Sequence, residues 1–431
     1  MQQEKTNLQF WGGLDTIGGN IISIQHGNYR IITDFGALAG VNSERLTAEA
    51  DLAELIDNQK VAAIPGLYSR KRLGNHPITS VEETEVQTII CLSHLHLDHL
   101  GSFAQLPPET PVLATQESVA FYHQLETQQL LPSYLVNWQG VEPLKPIQFG
   151  PFTITFHASD HDTLGIAAIF IETPEMTIVY SGDLRVSGFH PDRVYAWALA
   201  ARAWEPDVLL LEGTSFSRLG QAKSSVDEAL EALIQHLNAP TEVKLLQDIE
   251  ALLQQYPDKL FAFNGYPQNI ERIHYLAELA AKSQRQLIMD TRYYALYVAN
   301  YGEQPGVQPF EDAATINQNP AGYILQVDFE DHQALFEVDA GVYLHSNGMP
   351  LGSYDSNYEP FVKAVHQAGW LFVDANVSGH AYPEDLVNLA YLIQPGHVVP
   401  WHSYQPEVMG EALQNFGLKV WLPKYGESYG G

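Results

Sequence analysis

Apolar residues in this chain come in short runs that stop at a polar or acidic residue. Thr88-Ile89-Ile90-Cys91-Leu92 halts at Ser93, Tyr29-Arg30-Ile31-Ile32-Thr33 at Asp34, Thr177-Ile178-Val179-Tyr180 at Ser181-Gly182-Asp183, and Val208-Leu209-Leu210-Leu211 at Glu212. Runs of this length, rich in β-branched residues, predict buried strands. Phe152-Thr153-Ile154-Thr155-Phe156 alternates and predicts a half-buried one. Glycines between Gly12 and Gly19 separate two further strands, Leu8–Trp11 and Ile21–Ile24. Helical spacing appears near Ser225 to Leu237, near Gln268 to Lys282 and from about Pro383 to Leu392, and strand-like segments run from Gly322 to His345. Pro107 to Gly150 reads as mixed helix and loop.

The chemistry gathers where the runs stop. Within six residues after Ser93 come His94, His96, Asp98 and His99. Side chains alternate in extended backbone, so His94 and His96 can grip one ion, while Asp98 and His99, one turn further on, can reach a second. Imidazole nitrogens with a carboxylate oxygen suit zinc first and manganese or iron second. Three histidines at a buried strand end without such a role would be costly. Two more histidines, His157 and His161, come after the alternating strand, and either could complete a ligand set. Asp34 either caps a turn or supports the histidines from below.

Composition narrows the field. At 431 residues the chain exceeds one ordinary core and suggests two domains, one inserted in the other. A net charge of -29 argues against broad, sequence-independent binding of nucleic acid, though not against a locally basic channel. Arg70-Lys71-Arg72 is a candidate phosphate-attracting patch; a solvated loop is the plainer reading. The single cysteine, Cys91, permits no internal disulfide and reads as core. The first residues lack the basic and apolar regions of a signal peptide, and no apolar run is long enough to span a bilayer, so a soluble cytoplasmic protein without a membrane partner is expected.

The motif His94-Leu95-His96-Leu97-Asp98-His99 resembles the signature of the metallo-β-lactamase superfamily. Glu212-Gly213-Thr214, Ser378-Gly379-His380-Ala381 and Pro400-Trp401-His402, in that order, resemble the motifs of its β-CASP branch, nucleases that include ribonuclease J-like proteins. The resemblance implies an α/β (α+β) fold, an αββα sandwich from residues 1–212 and 381–431, with an inserted β-CASP domain over 213–380. It implies two zinc ions, with manganese as the alternative. His94, His96 and His161 would hold one, Asp98, His99 and His402 the other, with Asp183 bridging. His161 is preferred to His157 because His-x-x-x-Gly before an apolar strand resembles the superfamily's third metal motif. Asp98, His380 and Glu212 are then the candidate catalytic residues. Ser346, Asn347 and Gly348, with Ser378, Gly379 and His380, are candidate contacts to the substrate phosphate. The implied reaction is hydrolysis of phosphodiester bonds in RNA, or in single-stranded DNA, by a hydroxide activated between the ions. Trp401-His402-Ser403 departs from the usual setting of the last histidine. Alternatives are a dinuclear zinc hydrolase of a small ester, lactone or thioester, and a catalytically silent binding subunit. RNA or another nucleic acid is the expected partner, and a homo-oligomer is left open.

Overall fold

The computed structural model describes residues 5–38, 46–218 and 228–430. Among these, three sheets organise the chain. The first has seven strands in the order Ser428–Gly430, Asn7–Gly12, Ile21–His26, Tyr29–Thr33, Gln87–Cys91, Pro111–Thr115 and Asn137–Val141. The second has six, in the order His397–Trp401, Val208–Glu212, Thr177–Tyr180, Ala167–Glu172, Phe152–Ala158 and Ile147–Phe149.

These two sheets pack face to face. Ile24, Ile31, Ile89 and Cys91 from the first meet Ile154, Phe156, Ile169, Tyr180, Leu210 and Val399 from the second in one buried cluster. The alternation in Phe152–Ala158 is what makes this work, because Phe152, Ile154 and Phe156 all point into that cluster. The outer face of the second sheet is covered by the helices Pro191–Trp204, Pro383–Ile393 and Pro406–Asn415. The outer face of the first packs on Gln116–Thr127 and, through the same cluster, on helices from later in the chain. The result is a helix–sheet–sheet–helix sandwich.

The third sheet is parallel throughout, in the order Ile234–His236, Leu371–Asp374, Val342–Ser346, Phe261–Gly265, Tyr323–Gln326, Gln286–Met289 and Val307–Pro309. Helices cover both of its faces: Glu242–Gln255, Ile270–Lys282 and Thr291–Tyr301 on one, Ala313–Gln318 and Tyr358–Gln367 on the other. Parallel strands require such crossovers and burial on both sides. Ile270–Lys282 illustrates the local logic. Its cap Asn269 accepts from the Arg272 N–H, and Ile270, Ile273, Leu276, Ala277 and Ala280 form one buried stripe. Removing that cap would cost about 1 kcal/mol. The chain then returns to the sandwich, where His397–Trp401 pairs in parallel with Val208–Glu212, Glu212 opposite Trp401.

Two sequence expectations are corrected. Pro107–Gly150 contains the helix Gln116–Thr127 but also the strands Pro111–Thr115, Asn137–Val141 and Ile147–Phe149. Asn137–Val141 is a mostly exposed edge strand, so no buried face imposed an apolar alternation on it. The helix expected near Ser225 to Leu237 falls partly outside the described residues. Its described part is one turn, Glu228–Glu231, followed by the strand Ile234–His236, whose pairing with Phe372–Asp374 overrides helical propensity.

Candidate metal centre

The strand Gln87–Cys91 runs out at the edge of the sandwich, and a buried carboxylate fixes the histidine-rich loop beyond it. Asp34 accepts from the Ser93 N–H at 2.7 Å, the Ser93 hydroxyl at 2.8 Å and the Tyr180 hydroxyl at 2.5 Å, and lies 2.7 Å from His99 Nδ1. Asp34 thus sets the orientation of His99 while its other nitrogen faces outward, the usual second partner of a metal-binding imidazole. Gly36 lets the backbone pass against the motif, since a Cβ there would lie 1.5 Å from the Asp98 carbonyl oxygen. Asp34 (φ 58°) and His402 (φ 54°) both adopt left-handed backbone. Such strain costs about 1–3 kcal/mol and persists only where surroundings enforce it. For His402 the enforcement is a 2.6 Å hydrogen bond from its N–H to the Gly13 carbonyl and a 2.9 Å contact of Nδ1 with the Thr214 hydroxyl.

Side chains from five strand ends converge here. Donor atoms of His94, His96 and His161 lie within 4.8 Å of one another, as do those of Asp98, His99, Asp183 and His402, and those of His161, Asp183 and His380. Asp183 Oδ2 is 3.6 Å from His94 Nε2 and 3.2 Å from His99 Nε2, so one carboxylate touches both groups. His402 Nε2 is 2.9 Å from Asp98 Oδ2. His94 Nε2, His96 Nε2, Asp162 Oδ1 and Asp183 Oδ1 are buried with no hydrogen-bond partner. Lone pairs stranded this way are expensive unless a cation meets them. The donor set therefore fits a metal centre.

The electrostatics agree. Burial, reinforced by neighbouring imidazoles, holds His94 and His402 well below the ordinary histidine range, and burial does the same to His161 against the pull of Asp162. Neutral imidazoles are the form that binds a metal. Burial pushes the Asp183 carboxyl up, opposed by His99 and His380. Asp162 moves the other way: burial would raise it, but His161 and His96 outweigh burial and keep it anionic.

His380 reaches the same place from the turn between the strand Leu371–Asp374 of the third sheet and the helix Pro383–Ile393. Its Nδ1 lies 3.3 Å from Glu212 Oε1 and 3.9 Å from Asp183 Oδ2. Burial alone would lower its pKa, yet Glu212 and Asp183 raise it to about 9. Glu212 in turn accepts from the Thr214 N–H at 2.9 Å. The adjoining Gly379 carbonyl bonds to His161 Nδ1, which ties this turn to the metal loop.

A buried ionic network backs the turn. Glu242 pairs with Arg185 at 2.8 Å and with Arg272 at 2.6 Å, and all three side chains are almost wholly buried. Arg272 also donates to the Ser346 carbonyl and hydroxyl and to Asn347 Oδ1. Arg185 reaches back to the metal loop through its N–H, which donates to the Asp160 carbonyl at 2.8 Å.

The structure thus brings together His94, His96, Asp98, His99, His161, Asp183 and His402, with His380 and Glu212 beside them. His157 lies apart, its ring stacked on Phe170 at 3.9 Å. Among the candidate phosphate contacts, the Ser346 N–H is already given to Asn264 Oδ1 and the Asn347 N–H to Asn376 Oδ1, and Gly348 packs tightly on Asn264. The Arg70–Arg72 patch is largely spent internally. Arg70 donates to the carbonyls of Gly74, His76 and Ile78 and pairs with Glu83, and Arg72 bonds to Ala48 and Gln105.

Three participants escaped the sequence reading. Asp162 Oδ1 lies 3.3 Å from His96 Nε2 and 3.2 Å from His161 Nε2, and its place beside His161 was the available signal. Asn20 Nδ2 sits 2.9 Å from His99 Nε2. Tyr266, from the third sheet, sets its ring edge-on to His96 at 5.3 Å, and nothing local in the sequence marks it.

Comparison with known proteins places this geometry. Residues 61–249 match the family model described as the beta-lactamase superfamily domain, and the chain has a metallo-β-lactamase fold. More particularly, it resembles proteins named ribonuclease J. It is 23% identical to that of Pyrococcus abyssi over 96% of this chain and 95% of the relative. It is 23% identical to that of Thermus thermophilus over 72% of this chain, spanning 57% of that longer protein. Among solved structures, a protein of unknown function from Enterococcus faecalis V583 superposes with a TM-score of 0.83 at 26% identity, covering 99% of this chain and 100% of the other. No helix among the described residues is long and apolar enough to cross a membrane.

Proposed function

We propose that the protein is a metal-dependent phosphodiesterase acting on single-stranded nucleic acid, with RNA as its substrate. The observation that carries this reading is the convergence of His380 and Glu212 on the seven-donor cluster, in a chain whose likeness to ribonuclease J of P. abyssi runs end to end. In this reading the third sheet and its helices form a β-CASP domain over residues 213–380; His94, His96 and His161 would hold one zinc and Asp98, His99 and His402 a second, with the Asp183 carboxylate within reach of both groups. Bound ions would lower the pKa of a water and offset charge on the phosphoryl oxygens.

The chain's own residues do the rest. Asp34 and Thr214 hold His99 and His402 in register. Asp162, kept anionic, sets a negative charge beside the His96 and His161 rings. Glu212 occupies His380 Nδ1, so Nε2 is the nitrogen that gives its proton to the departing oxygen. Glu212 is not among the proposed ligands, so its contact with His380 Nδ1 does not depend on metal loading.

The direct test is cleavage of a 5′-monophosphorylated single-stranded RNA by the purified protein with zinc or manganese supplied and His96→Ala as control. Metal-dependent products absent in the variant are expected, and their sizes give the direction of cutting. Two bound metals without RNA cleavage, together with turnover of a small ester or lactone, would replace this reading. The net charge of -29 and the internal pairing of Arg185 and Arg272 are what favour that second reading.

A further inference from the structure

Two buried carboxylates lie near the group formed by His94, His96 and His161, and they are not equally close. Asp183 Oδ2 is 3.6 Å from His94 Nε2 and 3.9 Å from His161 Nε2, but 3.2 Å from His99 Nε2 in the other group. Asp162 Oδ1 is 3.2 Å from His161 Nε2 and 3.3 Å from His96 Nε2. The carboxylate nearer to His161 is therefore Asp162, which lies outside the ligand set that the sequence motifs imply.

Around Asp162 there are too few protons for its neighbours to be hydrogen-bonded. His161 Nδ1 donates to the Gly379 carbonyl, which can only accept, so Nε2 of the neutral ring carries a lone pair. His96 places Nδ1 3.1 Å from that lone pair and Nε2 3.3 Å from Asp162 Oδ1, and a neutral ring has one proton for the two nitrogens. With the proton on Nδ1, the Nε2 lone pair faces the carboxylate; with it on Nε2, the Nδ1 lone pair faces His161. In both tautomers Asp162 Oδ1 still meets the His161 lone pair at 3.2 Å. Buried acceptors crowded in this way are costly unless a cation lies among them. Four-coordinate zinc with bonds of about 2.0–2.2 Å sets neighbouring donors about 3.3–3.5 Å apart, close to the spacing here. The carboxylate is also held in place. Asp162 is 9% exposed, Oδ1 has no hydrogen-bond partner, and a Cβ on Gly379 would lie 2.9 Å from Oδ2.

Resting on the reading of a two-zinc centre, we propose that Asp162 is a direct ligand of the first ion through Oδ1, alongside His94, His96 and His161. That ion then has four side-chain donors, whereas Asp98, His99 and His402 give the second three. Asp183 is within reach of both groups and does not remove the difference. The two ions are thus unequal: one is resident, and the other is exchangeable, with a position left for water or substrate.

The test uses the intact protein loaded with zinc alone, with competition against a chromophoric chelator and elemental analysis of the metal retained. The wild type is expected to hold two zincs, one released at chelator concentrations that leave the other bound. Asp162→Asn keeps the shape of the side chain and an oxygen that accepts a hydrogen bond, but loses the charge. It is expected to weaken the tighter zinc by more than about 100-fold, beyond the range of about 10–100-fold for losing a residue that only hydrogen-bonds a ligand. The weaker zinc should be nearly unchanged, and Asp98→Asn should show the reverse pattern. In the cobalt-substituted protein the visible ligand-field bands of the tighter site should shift in Asp162→Asn, which a residue outside the coordination sphere would leave in place. A loss below about 100-fold, unshifted bands, or loss of the weaker zinc instead would overturn the assignment of Asp162 while the two-zinc centre stood. Equal affinity for both zincs in the wild type would overturn the unequal centre. A wild type that binds no zinc would remove the centre and the role of Asp162 together.

Discussion

On the sandwich side of the junction, His94 Nε2, His96 Nε2, Asp162 Oδ1 and Asp183 Oδ1 are buried without partners. On the other side, Arg272 distributes its donors over Glu242, Ser346 and Asn347, and Asn347 and Asn376 close the remaining bonds. Both regions are polar, and both sit where strands end. They differ in what is left over: beside Glu242 the unpartnered atom is a donor, Arg185 Nε, which a cation cannot use, whereas the sandwich side groups four atoms that can each offer a lone pair. The comparison separates Asp183 from Glu242, which burial and charge alone would not.

The largest expected effect comes from removing the shared donor. Asp183→Asn should abolish hydrolysis, by a factor of about 10³ or more, and elemental analysis should find metal lost; full metal retention would break the contrast. Next comes His380→Ala, expected to cut turnover by about 10²–10⁴ while metal content stays unchanged. If metal falls in proportion to activity, His380 belongs with the donors.

Glu242→Ala should behave as scaffold. Leaving Arg185 and Arg272 buried without their carboxylate costs about 3–5 kcal/mol in urea unfolding, with metal still bound by whatever fraction is folded. Loss of metal from folded protein would erase the distinction. The smallest effect is a pH dependence. Burial pushes Asp328 up to about 6, despite hydrogen bonds from Tyr293 and Gln326. A raised carboxyl favours the folded state while protonated, so its contribution is full below about pH 4 and disappears as pH rises through 6. The ceiling is about 3 kcal/mol, and Asp328→Asn should flatten that part of the stability curve without moving metal content.

Much of the sandwich could be read from the chain because its strands bury one face or both. Val208–Glu212 is buried along its whole length and ends in the acid that meets His380. The donors were legible for a related reason, since charged or imidazole side chains at the ends of apolar runs need an explanation. Asp162 was missed because it stands beside a stronger candidate. Asn137–Val141 was missed because an exposed edge leaves no period in the sequence. Arg70 and Arg72 left two readings open because charge in a sequence does not reveal its neutralising partners; here carbonyls four to eight residues downstream of Arg70 are among them. Tyr266 and the Arg185–Glu242–Arg272 network depend on contacts between distant segments, which no local pattern encodes.

The parallel pairing of Val208–Glu212 with His397–Trp401 has a consequence for the order in which the molecule is made. A growing chain exposes the open side of Val208–Glu212 from the time that strand forms until nearly two hundred further residues have been synthesised. During that interval the second sheet has a bare hydrogen-bonding edge, the kind of surface that recruits wrong partners. His402 arrives on the strand that covers it, so sealing the edge and delivering the last imidazole are one event. A polypeptide interrupted within the third sheet has neither a closed sandwich nor His402.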